Sequence, residues 1–183
     1  MELLSNKLPN KGLPPVKNRA PTSTQKKVVV LLQDNTPLKG YLNPAALGVT
    51  AAIDLLNVEG EHQPIALEDV KSVHYVREFH EQFEPERKTF LSRPKLDGLW
   101  VRLRFRDGDV MEGIVSNDLL DMLDKGVQLT PPDLHGNTLR LFIPRTSLLE
   151  MKVLGVVGVA RRSPQPPRSA GTDAAAQSKL FSE

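Results

Sequence analysis

One segment of this chain is written twice, and that constrains the fold more than anything else in it. Residues 27–42 return at 100–115 with apolar, turn and glycine positions aligned. Val28, Val30, Asp34 and Gly40 recur as Val101, Leu103, Asp107 and Gly113, a constant offset of 73 (107 − 34 = 113 − 40). A second match sets 64–73 against 142–151, with Ile65 recurring as Ile143 at an offset of 78, so the later copy holds about five extra residues (78 − 73). Each copy must build the same supersecondary unit, so the architecture is a duplicated one before any strand is assigned.

The unit is made of strands. Val101, Leu103 and Phe105 alternate with Arg102, Arg104 and Arg106, the period of a strand with one buried face. The same alternation fixes the turn. A two-residue loop at Asp107-Gly108 would set Leu103 opposite Glu112 and drive a carboxylate into the core. A three-residue loop at 106–108 instead pairs Leu103 with Met111, Val101 with Gly113 and Arg102 with Glu112, and places Trp100 opposite Ile114. That is a type I turn closed by a left-handed glycine. In the first copy Asn35 takes the left-handed place, which asparagine tolerates, so that Val30 faces Leu38 and Val28 faces Gly40. Gly40 and Gly113 fall inside strands, where glycine marks a sharp bend that lets a small sheet fold over on itself.

Further alternating runs predict strands at 52–58, 63–67 and 70–76, and in the second copy at 126–130, 138–143 and 149–154. The polar loop at 133–137 holds the extra residues. Between the copies, Phe79 and Phe83 stand four apart, which predicts one or two helical turns before Pro85. Another short helix is expected over 116–126. The resulting fold class is mostly all-β: two tandem five-stranded SH3-like or Sm-like barrels joined by a partly helical linker. The domain plan is a basic tail at 1–26, a first barrel at 27–76, a linker at 77–99, a second barrel at 100–159 and a Pro/Ala-rich tail at 160–183. Barrels of this size bury a modest share of their surface, so the two are expected to pack together, with the apolar run 153–159 covering the seam.

Composition narrows the function classes. The chain has no cysteine, so neither disulfides nor thiolate metal sites hold it together. No run approaches the ~18 apolar residues of a membrane span, and the start lacks the pattern of a signal peptide, which makes a cytoplasmic location the expectation. The net charge of +2 conceals a segregation: residues 1–27 carry +5 and 159–183 carry +2, leaving −5 in the middle. Such basic, proline-rich ends are expected to be disordered.

From 100 to 154, a strand, an Asp-Gly turn, a strand bent at Gly113 and a distal pair ending in Leu148-x-x-Met151 resemble the Sm-like RNA-binding fold. Asp118 lies near the loop aspartate of that family, but no asparagine follows at the right distance, and Pro144-Arg145 stands in place of its arginine-glycine pair. More closely, 87–158, with the run Leu141-Phe142-Ile143-Pro144-Arg145, resembles an uncharacterised bacterial domain family loosely associated with PilZ-type signalling proteins. That resemblance implies a fold and no known activity. The arginine-pair signature of cyclic-dinucleotide binding in PilZ domains does not occur here.

No catalytic constellation stands out. His62, His74, His80 and His135 lack metal-ligand spacing, no glycine-rich loop leads into a helix with a lysine, and Ser92 and Ser116 lie in no nucleophile motif. Asp118, Asp121 and Asp124 recur every third residue, as a solvated helix face would, rather than at the spacing of a calcium loop. The reading is therefore of no enzyme, no cofactor and no metal. Arg102, Arg104 and Arg106 on one strand face, with Arg93, Lys95 and Trp100 nearby, are the candidate contacts for a partner protein or a nucleic acid. Arg102 is expected to pair with Glu112, and nine aromatics in the whole chain supply a poor stacking platform for bases. The leading expectation is a non-catalytic binding or adaptor module that recognises a protein by strand addition at an open edge. An RNA-binding protein using the arginine strip and basic tails is the alternative, and a cyclic-nucleotide-type sensor the second alternative. Oligomeric state is not assigned by the sequence.

Overall fold

The computed structural model describes residues 20–83, 86–118, 120 and 126–158, and these form strands with three single-turn 3-10 segments. The tails expected to be disordered lie mostly outside the described residues, as do most of the helix expected over 116–126 and both Asp121 and Asp124. The first copy supplies β1 (Lys26–Leu32), β2 (Pro37–Leu42), β3 (Ala52–Asn57), β4 (His62–Ala66) and β5 (Val70–Val76). The second supplies β6 (Gly98–Phe105), β7 (Val110–Val115), β8 (Gly126–Thr130), β9 (Thr138–Pro144) and β10 (Leu148–Val157). Even the 3-10 turn between the fourth and fifth strands repeats, at Leu67–Asp69 and Arg145–Ser147.

The hairpin registers are those the alternation requires. Val30 pairs with Leu38 and Val28 with Gly40, and Leu103 pairs with Met111, Arg102 with Glu112 and Trp100 with Ile114. Asn35 and Gly108 hold the left-handed positions at φ 66° and 87°. Both turns close alike: Leu32 N–H donates to Thr36 O (3.0 Å), and Phe105 N–H to Asp109 O (2.9 Å). The strand glycines also permit close crossing of the next strand. A Cβ on Gly40 would run into the backbone of Leu56, and one on Gly113 into the Leu129 side chain.

What differs is closure. The expected pair of tandem barrels is instead one open ten-stranded antiparallel sheet in the order β10-β6-β7-β8-β9-β5-β1-β2-β3-β4. Within each copy the strands run fifth, first, second, third, fourth, so a self-contained barrel would need its fifth strand to meet its own fourth. Here the first copy's β5 pairs with the second copy's β9, Val73 opposite Phe142 and His74 opposite Leu141. That joint leaves β4 and β10 as the free edges.

The two cores lie on opposite faces of this sheet, a consequence of the two-residue period. Val28, Val30, Val73 and Tyr75 pack with Leu42, Leu55 and Ile65 around one interior. Val101, Leu103 and Phe105 pack with Val115, Leu129 and Ile143 around the other. β9 serves both: Phe142 enters the first core, while its neighbours Leu141 and Ile143 enter the second.

Two further expectations are corrected. Among the described residues the linker carries no α-helix. Phe79 and Phe83 do not share a helix face: Phe79 packs edge-on to Tyr41 (5.5 Å) and Phe83 edge-on to His74 (4.9 Å), which pins an irregular, bending chain against the first copy. The apolar run after residue 153 does not cover the seam either. It continues β10, an edge strand paired with β6, to Val157, and leaves Val153, Leu154 and Val156 exposed.

Candidate functional site: an open edge strand and the arginine face

β5 and β10 are the same strand in two copies, and they meet opposite fates. β5 is paired on both sides, and all seven of its residues are buried. β10 is paired only with β6. The offset of 78 makes Val73 (0 % exposed) and Tyr75 (8 %) the counterparts of Met151 (37 %) and Val153 (55 %). Leu149, Leu154 and Val156 are exposed on the same strand. A ten-residue edge with this many uncovered apolar side chains, whose outward backbone groups are met at Val156 O by Arg93, is a template for another strand. The other free edge is different in kind. β4 has five residues, with Pro64 at its centre offering no N–H, and His62 beside it is held by Asp54 at 2.9 Å.

The arginine face lies next to β10, and it is already occupied by the chain's own acceptors. Arg102 donates to Glu112 Oε1 from Nη2 (2.8 Å) and Nε (3.1 Å). Glu112 Oε2 also accepts from Trp100 Nε1 and from the Phe90 amide, each at 3.2 Å. Burial alone would raise the Glu112 carboxyl, but these donors outweigh it and hold the group below the ordinary glutamate range. Trp100 is half-buried and packs edge-on to Phe90 of the linker at 6.2 Å. Arg104 reaches Glu150 of β10 (3.6 Å), Arg106 donates to Thr146 O (2.7 Å), and Arg93 donates to Val156 O of β10 (2.9 Å). Lys95 is exposed. Arg102 and Trp100 thus converge on Glu112, and Arg104 and Arg93 reach β10. Lys95 and Arg106 are not part of one constellation with them.

A second cluster sits at the joint, where sequence reasoning saw nothing. Lys71 of β5 is buried, and its ammonium donates to Asn35 Oδ1 (2.9 Å), Asp107 Oδ2 (2.5 Å) and Asp109 Oδ2 (3.3 Å). Three N–H groups therefore meet three acceptors, drawn from the hairpin turns of both copies. Hydrogen bonding from Lys71 lowers the Asp107 carboxyl. At Asp109 burial opposes, but Lys88 (2.7 Å) and Lys71 prevail and the carboxyl is again lowered. Asp107 and Asp109 therefore serve Lys71 and Lys88. His74, also buried, is hydrogen-bonded to Ser72 Oγ (2.9 Å); burial, and then the charge of Lys71, push its imidazole down to about 4. A cavity of about 260 Å³ lies here among Lys71, Ser72, His74, Phe83 and Glu86. Among its polar groups, Glu86 Oε1 accepts from the Thr138 amide at 2.8 Å. The one trace of this cluster in the sequence is a set of side-chain acceptors, Asn35, Asp107 and Asp109, around both turns, together with a lysine inside an otherwise apolar strand.

Among the described residues no helix is long and apolar enough to cross a membrane. No match is found among curated proteins or among solved structures. Residues 24–155, which hold nine of the ten strands whole and most of β10, match a family described as one of unknown function. The expectation of an uncharacterised domain holds at that level, and over both copies rather than the second alone. The chain belongs to this family, DUF6982.

Proposed function

We propose that this protein is a non-catalytic binding module that recognises a protein partner by strand addition along β10. The observation that carries the reading is the contrast between the two copies of one strand: β5 is wholly buried under β9, whereas β10 exposes the equivalent apolar positions. Covering β10 as β9 covers β5 would satisfy a row of backbone groups and remove Leu149, Met151 and Val153 from water, the two contributions that drive strand-addition complexes. Nucleic-acid binding through the arginine strip has less behind it, since Arg102, Arg104 and Arg106 are each engaged by acceptors of their own chain.

Capture from the native cell tests the reading. The double variant Met151→Lys, Val153→Lys places charges on the edge, a known means of blocking strand pairing. Partner capture is expected to be lost with this variant and kept with Arg102→Ala, Arg104→Ala. Steeply salt-dependent binding to a mixed RNA and DNA pool that is lost in the arginine variant, with capture unaffected by the edge lysines, would overturn it.

A further inference from the structure

We infer that the strand added to β10 is β10 of a second copy of this chain, paired antiparallel about a twofold axis beside Met151. This rests on reading β10 as a strand-addition edge and names the occupant. The sequence Leu149-Glu150-Met151-Lys152-Val153 is self-complementary when inverted. With Met151 opposite Met151 of the second copy, Glu150 meets Lys152 of that copy, and Lys152 meets its Glu150. Leu149 and Val153 then face each other at both ends of the contact. The register shifts of β10 fall outside the Glu150–Lys152 centre, between Leu148 and Glu150 and between Val153 and Gly155. Opposite charges directly across an antiparallel pair stabilise it, and like charges there destabilise it.

The alternative of joining copies head to tail, β10 onto β4, would imitate the β5–β9 joint. The offset of 78 carries Val73 to Met151 and Phe142 to Pro64, so in that joint Met151 would face a proline. Pro64 has no N–H to donate and no aromatic ring to enter the neighbouring core as Phe142 does. The edge opposite β10 is thereby blunted, and the self-pairing of β10 closes at two copies, as an isologous contact must.

Sedimentation equilibrium of the full chain across a concentration series tests this. The expected result is a monomer–dimer equilibrium with no larger species. Glu150→Lys and Lys152→Glu each create two like-charge contacts across the twofold axis, and each is expected to weaken the dimer about tenfold. The double variant Glu150→Lys, Lys152→Glu restores opposite charges and is expected to return the affinity to within about threefold, which also shows that the altered strand folds. Single variants that dimerise like the parent, a chain monomeric at every concentration, or oligomers growing beyond two would each overturn the inference, the last in favour of β4. Hydrogen exchange of the outward β10 amides, those not bonded to β6, at a dilution where the chain is monomeric separates the two levels. Fast exchange with no dimer at high concentration removes only the second copy as partner; slow exchange in the monomer means the edge is already covered and removes the strand-addition reading itself.

Discussion

Lys71 Nζ lies 2.5 Å from Asp107 Oδ2, and that bond spans the joint between the two copies of the repeat. The lysine belongs to the fifth strand of the first copy and the aspartate to the first hairpin of the second, so no rearrangement within one copy can replace it. With Asp109 and Asn35 as its second and third partners, Lys71 ties both hairpin turns to β5.

Removing the buried cation leaves Asp107 without its lysine and Asp109 with Lys88 alone. Lys71→Met loses the ammonium that lies over the Phe105 ring at 5.4 Å and is expected to destabilise the protein by about 2 kcal/mol. That is less than the ~3–5 kcal/mol of a fully buried pair, because both carboxylates are about a third exposed and Asp109 keeps Lys88. Equilibrium urea unfolding measures this. A loss below about 1 kcal/mol, the range of exposed pairs, would show that the clamp contributes little.

His74 gives the stability a defined pH dependence. Its pKa is about 4 in the folded protein against the ordinary value of 6.5, lowered by burial and then by Lys71. The unfolded chain therefore binds a proton below about pH 6.5 while the folded one stays neutral, so stability is full above that pH and falls as the pH drops towards 4. Between pH 7.5 and 5 this amounts to about 2 kcal/mol. Urea midpoints at the two pH values in the parent and in His74→Gln test it: the variant is expected to lose most of the difference, and an unchanged slope would contradict the assignment.

Tyr75 carries a buried hydroxyl without a hydrogen-bond partner, and burial pushes its pKa up to about 12. Tyr75→Phe is expected to leave the protein as stable or more stable by about 1 kcal/mol, because the penalty of an unpaired buried hydroxyl disappears with it. A thermal melt that falls on this substitution would mean that the hydroxyl is bonded in solution.

The two strand glycines are not equally replaceable. A Cβ at Gly40 meets the backbone of Leu56, with the Leu55 side chain at 2.9 Å, whereas at Gly113 the nearest obstacle is the movable Leu129 side chain, with Thr130 O at 3.0 Å. Gly40→Ala is expected to cost about 3 kcal/mol and Gly113→Ala about 1 to 2 kcal/mol, the range of overpacked interiors. Equal losses in urea unfolding would indicate that both strands move aside alike.

Much of the local structure was legible in the chain. The alternation of Val101, Leu103 and Phe105 with three arginines, together with the need to keep Glu112 out of the core, decided the loop length and with it every pair in the β6–β7 hairpin. It also predicted the Arg102–Glu112 contact that occupies the arginine face. The linker was not legible, since a four-residue spacing of phenylalanines is shared by a helix face and by two anchors reaching different partners. β5 was predicted as a strand, but its role was hidden because both its faces are covered, so that Lys71 and His74 look like surface residues although they are buried.

The sequence by itself determined the duplicated strand unit, its turns and its hairpin registers, because those rest on side-chain periodicity and on backbone preferences of neighbouring residues. Only the tertiary structure decided that β5 joins β9, that Phe142 crosses into the other copy's core, and that β10 is left uncovered while its twin is buried. Pairing between strands far apart in the chain is carried by backbone hydrogen bonds common to all residues, so which edge meets which is settled by the assembled sheet and leaves little local trace.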